Sequence, residues 1–599
     1  MDNVCTYKSQ KIKDIRRMVQ VARGEEPADL VLKNGEVFNV FTGEFLNRDI
    51  AIVDGYVAGV AEDYHGIEEI DLEGRYVTPG FIDTHIHIES SMLTPAEFVK
   101  VAIPNGTTTI IADPHEIANV SGADGIKYML DATENVPLNV FFMLPSCVPS
   151  TPMENSGAVL LADDLEPFLK HPRVLGLGEV MNFSGVLDLD PVVHEKLEMA
   201  QDYKIDGHAP GLKGKDIMAY AAAGISSDHE CATAEMARER LRAGMQVLIR
   251  EGTACKNLKA LIQVIDNDTA PFCSFAVDDK LPADLIKNDY INGMVRKSIE
   301  GGVSVATALQ IATIFAARNY GLYDIGAIAP NYRADIIVFD NLQEWEPTMV
   351  FKDGKLAMDV KKNEGKILLP VEKVSAESVK NSMYLGEVTV DRLRLPIKGD
   401  MAYVIGLIPY QIKTNKFKLP ITKKDGCAVS DPTKDILKLA VWERHHATGN
   451  VGVGLVKGFG LKEGAMASTV AHDSHNLIVI GANDEDMVKA VQELSKMGGG
   501  MVVVKDGKVL VSLELPIAGL MTDAPAEDIA QKQAELRATC HSLGVHKYFA
   551  PFLTLAFQSL AVIPQIRLTD QGLVDVTLND IIDIEVDEAE EEFLRQNHI

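Results

Sequence analysis

Between Phe81 and Lys280 the chain alternates eight short apolar runs with longer stretches of helical periodicity. The runs are PGFIDTHIH, TTTIIADPHE, LNVFFMLPS, VLGLGEVMN, YKIDGHAPG, AGISSDHE, MQVLIREGTA and FCSFAVDDK. Near-continuous apolar strands belong to parallel sheets buried on both faces, because the intervening helices cover each side. Eight such units in roughly 240 residues match a (β/α)8 TIM-like barrel, which typically needs about 250. Residues 80–324 are therefore expected to form that barrel. An open doubly wound sheet would need a Gly-rich phosphate turn after its first strand, and the first run here ends in THIH.

The flanks read differently. Residues 29–79 are short β-rich runs punctuated by Asn-Gly, Asp-Gly and Glu-Gly turns, the pattern of hairpins. A second β block (RADIIVFDN, PTMVFKDGKLA) falls within 325–375. Together they predict a small β-sandwich domain built from both sides of the barrel. Residues 1–28 predict a helical segment with Ile12, Ile15, Val19 and Ala22 at helical spacing, ended by Pro27. Residues 376–599 mix strand runs with helices such as DEDMVKAVQELSKM and are expected to form a C-terminal α+β domain; the acidic tail reads as solvated.

Composition narrows the partners. Lys and Arg total 58 against 86 Asp and Glu, a net charge of −28. Such a chain lacks the cationic footprint for nucleic acid or for an anionic membrane. No run of about 18 apolar residues predicts a transmembrane helix. The N-terminus has no signal-peptide core. Seven scattered cysteines without a CxxC pair predict reduced thiols and a cytoplasmic setting.

In a parallel barrel the C-terminal ends of the strands converge on one mouth. The first run ends in His85 and His87, an i, i+2 pair that points to one face. The second ends in Asp113, His115 and Glu116, the fourth in Glu179, and the fifth in His208. The sixth ends in Asp228, His229 and Glu230, the seventh in Arg250 and Glu251, and the eighth in Asp278 and Asp279. Any one of these could be an ordinary polar residue or a helix cap. Four of eight runs ending in histidine, with carboxylates on others, point instead to a metal site. Imidazole and carboxylate without thiolate suit Zn²⁺, Mn²⁺ or Fe²⁺. Four histidines and two carboxylates exceed one ordinary catalytic ion and suit two, bridged by Glu179 and activating water.

Residues 29–360 resemble the amidohydrolase superfamily through TPGFIDTHIH and the strand-end residues that follow. The resemblance implies His85, His87, Glu179, His208, His229 and Asp278 as metal ligands. The whole chain is similar to the bacterial-type adenine deaminase family. That similarity rests on GEVMN (178–182), DGHAPG (206–211), DHE (228–230), MASTVAHDSHN (466–476), GGGMVVVKDGKV (498–509) and LPIAGLMTD (515–523). It implies hydrolysis of adenine to hypoxanthine and ammonia, two iron or manganese ions per subunit with zinc also admissible, and a homo-oligomer, expected as a dimer.

Two departures from related branches matter. The bridge position holds Glu179 and not the lysine of dihydropyrimidinase-like members. The run His208-Ala209-Pro210-Gly211 lacks the carboxylate of the HAGE pattern. The proton donor to the purine ring is then expected from Glu116 or His115, with Glu251 behind them, as a protonated carboxyl or imidazole. Asp278 is expected to take the proton of the attacking water and return it to the departing ammonia. His87-Ile88-Glu89 matches only half of the cytidine-deaminase zinc signature, with no PCxxC. His472 and His475 are either polar strand residues or contributions of the C-terminal domain to the barrel mouth. His445 and His446 are expected on a solvated helix beside Glu443 and Arg444. A hydrolase acting on another aminated ring or a cyclic amide is the alternative, since fold alone does not fix substrate.

Overall fold

Each of the eight apolar runs contains a strand: β1 (Phe81–Ile86), β2 (Thr107–Ala112), β3 (Asn139–Leu144), β4 (Val174–Val180), β5 (Lys204–Gly207), β6 (Ser227–Asp228), β7 (Gln246–Arg250) and β8 (Cys273–Ala276). The computed structural model describes residues 14–287 and 289–586. Strands β1 to β5 form one parallel sheet in sequence order, and β6 to β8 form a second. Two backbone contacts link these sheets. Ser226 N–H donates to the Ile205 carbonyl at 2.9 Å, and Asp278 N–H to the His85 carbonyl at 2.9 Å, beside a parallel bridge between Ile86 and Asp278. Every residue of β1 to β4 is buried, as strands covered on both faces require. Ile82, Ile111, Phe141 and Met143 pack in one cluster with Ala316, Tyr320 and Leu322.

The small β region is joined by hydrogen bonds into one sheet. Strand Ala28–Asn39 bends at a register shift between Leu32 and Gly35. Before the bend it pairs with Gly66–Asp71, and after it with Tyr76–Pro79. Ile336–Phe339 joins antiparallel to Tyr76–Pro79, so residues from both flanks of the barrel segment complete one sheet. Alternation sorts the side chains: Leu30, Leu32, Ile50 and Ile52 enter one core, while Val31, Ala51 and Val53 enter another. The helix Ile15–Ala22 packs on the second core through Met18 and Val21. Ile15 and Val19, expected on its apolar face, are 69% and 53% exposed; the sheet binds the neighbouring stripe. Ile12 lies outside the described residues.

Two units emerge from the packing. Among the described residues, the first comprises those through Pro114, Met129–Ser146 and Leu161–Val374; the second comprises His115–Tyr128, Cys147–Leu160 and Ser375 onward. Two segments inside the expected barrel range thus belong with the C-terminal residues. The second unit is built on an eight-stranded sheet, antiparallel except where Met401–Leu407 meets Val451–Lys457. The helix Asp484–Met497 packs on it through Met487, Val491 and Leu494. Asn483 caps its start ahead of three acidic residues, and Gly498, at φ 74°, ends it. Strands Ala465–Ser468 and Leu477–Gly481 pair antiparallel, and their connecting loop carries His472 and His475. The acidic tail beyond Val586 lies outside the described residues. No described helix is long and apolar enough to cross a membrane.

Candidate functional site

In the first unit, side chains at the ends of β1, β4, β5, β6 and β8 converge on Glu179. Its Oε1 lies 3.2 Å from His87 Nε2 and 3.6 Å from His85 Nε2. Its Oε2 lies 2.7 Å from His208 Nδ1 and 3.2 Å from His229 Nε2. Asp278 Oδ1 is 3.3 Å from His87 Nε2. The His85 and His229 rings stack at 4.3 Å. Backbone contacts fix the carboxylate's origin: Glu179 N–H donates to Asp113 Oδ2 at 3.1 Å, and Ser146 Oγ donates to the Glu179 carbonyl at 2.5 Å. Gly178 permits this approach, since a Cβ there would sit 2.0 Å from Asp113 Oδ2.

The donor chemistry of this cluster calls for a cation. A carbonyl oxygen only accepts, so His87 Nδ1, 2.9 Å from the Asp113 carbonyl, carries the ring proton. In the neutral ring, Nε2 would turn its lone pair toward two carboxylate oxygens. Acceptor facing acceptor is repulsive unless a proton or a metal ion lies between them. The backbone-fixed tautomer is the one that metal-ligating histidines use. Among the described residues, His85 Nε2 is buried and finds no hydrogen-bond partner, which a metal ligand's lone pair would explain. Burial opposes charge here, but the carboxylates outweigh it: Asp278 and Glu179 hold the His87 pKa well above its usual value, and Glu230 and Glu179 raise His208 to about 9. Burial likewise works against ionised Glu179 and Asp278, and His229 and Arg250 respectively lead the interactions that hold them well below the carboxylate range. The residues of several triads here, such as His85, Glu179 and His229, offer ligand atoms within 4.8 Å of one another. The group fits a metal centre.

One expected residue is replaced by its neighbour. Glu251 does not join the cluster; its carboxylate accepts from Lys297 Nζ at 3.2 Å and from the Leu258 amide at 3.3 Å. Arg250 joins instead. Its Nη1 lies 2.6 Å from Asp278 Oδ2 and also donates to Glu230. Consecutive residues leaving a strand point apart, and the sequence alone favoured the carboxylate over the guanidinium. Glu230 Oε1 also lies 3.9 Å from His208 Nδ1 and 3.8 Å from His229 Nε2.

A second histidine–carboxylate group lies within the second unit. Glu116, in the first turn of helix His115–Ala132, meets His472 Nδ1 at 2.8 Å and His475 Nε2. All three are at most 4% exposed. His472 stacks on Phe557 at 4.8 Å. Their ligand atoms also lie within 4.8 Å of one another, yet the chemistry differs. An amide N–H only donates, so His475 Nδ1, 3.1 Å from Ala471 N, accepts. The ring proton then sits on Nε2 and points at Glu116. Burial opposes ionised Glu116, but His472 and His475 pull its pKa well below the usual range. Burial also pushes His475 down to about 4, keeping it neutral. Glu116 is held as a carboxylate, where a protonated acid was expected. His115 is buried beside it, Nε2 lying 3.8 Å from Glu116 Oε1.

Residues 443–445 are not on a solvated helix. They follow strand Ile436–Trp442, and Glu443, Arg444 and His445 are buried; only His446 is exposed. Arg444 donates to the carbonyls of His475, Ser382 and Ala518. It thereby anchors the loop that carries the second cluster, a role that local charge patterning concealed.

Two family models match the chain: the amidohydrolase family over residues 76–357 and the adenine deaminase C-terminal domain over residues 411–580. Adenine deaminase 2 of Carboxydothermus hydrogenoformans is 53% identical over 573 residues, 96% of this chain and 100% of that protein. Adenine deaminase of Clostridium acetobutylicum is 46% identical over 566 residues, 94% of this chain and 98% of that protein. Adenine deaminase of Kosmotoga olearia is 45% identical over 574 residues, with 95% and 98% covered.

Proposed function

Since the chain belongs to the adenine deaminase family, we infer that it hydrolyses adenine to hypoxanthine and ammonia. The reading extends to a closed (β/α)8 barrel, supported by the two backbone contacts between its parallel sheets. It further assigns two divalent ions, Mn²⁺ or Fe²⁺, to His85, His87, Glu179, His208, His229 and Asp278. The observation that carries this is Glu179: its two oxygens face different histidine pairs, so these side chains would hold two ions. When bound, such ions lower the pKa of water and supply a nucleophile near neutral pH.

The chain's own groups do the rest. Asp278 takes the proton of the attacking water and passes it to the amino nitrogen, which leaves as ammonia. Its backbone tie to His85 and its carboxylate tie to Arg250 hold it for that transfer. Six described cysteines are free thiols, which supports a cytoplasmic enzyme.

The test is ammonia release from adenine by the full chain reconstituted with Mn²⁺ or Fe²⁺, beside a metal-free control. Release only in the metal-loaded sample is expected. Release from another aminated ring or a cyclic amide, and none from adenine, would favour the alternative substrate. Asp278→Asn should retain metal and lose most turnover; near-normal turnover removes Asp278 from the proton path.

A further inference from the structure

We propose that Arg250 is a positioning residue that fixes the orientation of the Asp278 carboxylate. This rests on the reading of Asp278 as the proton carrier. The guanidinium is held from several sides. Nη1 lies 2.6 Å from Asp278 Oδ2 and donates to Glu230, and Nε donates to Asn257 Oδ1 at 3.2 Å. The Arg250 side chain is 6% exposed. With Oδ2 committed to Arg250, only Oδ1 faces His87, at 3.3 Å. The carboxylate is therefore held in one orientation.

The backbone of Asp278 supports the same reading. It lies at φ 60°, a region that few non-glycine residues occupy. Residues persist there when their surroundings over-determine them, and they gather at functional sites. Here the determinants are the Asp278 N–H to His85 carbonyl bond below and the Arg250 contact at the carboxylate. Arg250 also separates two carboxylates, Asp278 and Glu230, that would otherwise repel. Lysine cannot reproduce this: a single ammonium lacks the planar fork that reaches Asp278, Glu230 and Asn257 together.

The experiment is a double-mutant cycle in the metal-reconstituted full chain. Arg250→Gln and Arg250→Lys are each made in the wild type, and Arg250→Gln also in Asp278→Asn. Ammonia release and bound metal are measured for all. Arg250→Gln is expected to lower kcat by about 30- to 100-fold, the scale of a misoriented catalytic group. KM should stay within about threefold and metal content should be unchanged. Arg250→Lys should recover part of the rate. In the Asp278→Asn background, Arg250→Gln should cost no more than about twofold, because residues acting as a unit are non-additive. A full multiplicative loss in that background would show that Arg250 acts independently of Asp278 and overturn the proposal. So would wild-type kcat in Arg250→Gln, or loss of metal in either Arg250 variant. If Arg250→Gln does not fold, Arg250→Lys carries the test, with a kcat loss of at least about fivefold expected. Near-normal turnover of Asp278→Asn alone would instead defeat the reading beneath the proposal, a separate result.

Discussion

His87 and His475 look alike by every coarse measure. Each is buried, each is near a glutamate, and each belongs to a triad of histidines and carboxylates close enough to hold a metal. What separates them is the backbone group behind the ring. The Asp113 carbonyl accepts a hydrogen bond from Nδ1–H of His87, so the neutral ring has its lone pair at Nε2. The Ala471 N–H donates a hydrogen bond to Nδ1 of His475, so the ring proton sits at Nε2. The first ring presents an acceptor to carboxylates and calls for a cation. The second presents a donor to Glu116 and is already satisfied. Residue types and spacing identify histidine–carboxylate clusters; the hydrogen bond on the far nitrogen decides whether a cluster is built for a metal or for a proton.

The largest expected effect breaks the first cluster. Glu179→Gln should lower metal content and reduce adenine turnover by on the order of 10³-fold, the scale of losing a positioned electrostatic group. Metal analysis and ammonia release check both. A variant with full metal content would remove Glu179 as the bridge.

The next effect strikes the second cluster and should look different. His475→Ala leaves the Glu116 carboxylate buried with one hydrogen-bond donor fewer, which costs about 1.5–3 kcal/mol of stability, the scale of a hydrogen bond to a charged group. Urea unfolding measures it, and metal stoichiometry should not change. Loss of metal in His475→Ala would erase the distinction between the clusters.

Chelation sharpens the contrast. Metal bound only by the native state stabilises by about 2.7 kcal/mol at 100 times its dissociation constant. Removing metal should lower the melting temperature of wild type and of His475→Gln by the same amount. It should leave Glu179→Gln little changed. A shift confined to wild type would couple the two clusters through the metal.

The smallest effect is a dependence on pH. Folding lowers the His475 pKa from 6.5 to about 4, so between these values the unfolded chain binds the extra proton. Stability from this group therefore rises with pH across that window and is lost as pH falls through it. Glu116, depressed by folding, adds a loss only below the usual carboxylate range. His475→Gln should flatten the difference in urea midpoint between pH 7 and pH 5 relative to wild type. An unchanged difference would mean that His475 is not held neutral by burial.

Much of the fold was legible because strands buried on both faces leave an unmistakable apolar signal. All eight runs became strands of parallel sheets, and the flanking β segments meet in one sheet. The histidines at the ends of β1, β5 and β6 and the carboxylates Glu179 and Asp278 were legible too, since a parallel arrangement gathers strand ends. Short-range reading failed where direction or distant packing decides. Ile15 and Val19 fitted a helical stripe, but the sheet buried Met18 and Val21. Arg250 and Glu251 are adjacent, and only the folded strand shows which one turns to the cluster. Arg444 and Glu443 looked solvated because their charges say nothing about the carbonyls and amides that bury them.

Composition and periodicity are local properties, so residue order was enough to show which side chains could bind metal and which strands would carry them. The tertiary structure alone decided the proton on each ring, the partner of each carboxylate and the placing of Glu116 with His472 and His475. Those depend on backbone carbonyls and amides brought from remote parts of the chain, and a hydrogen-bond donor cannot be told from an acceptor until its partner is in place.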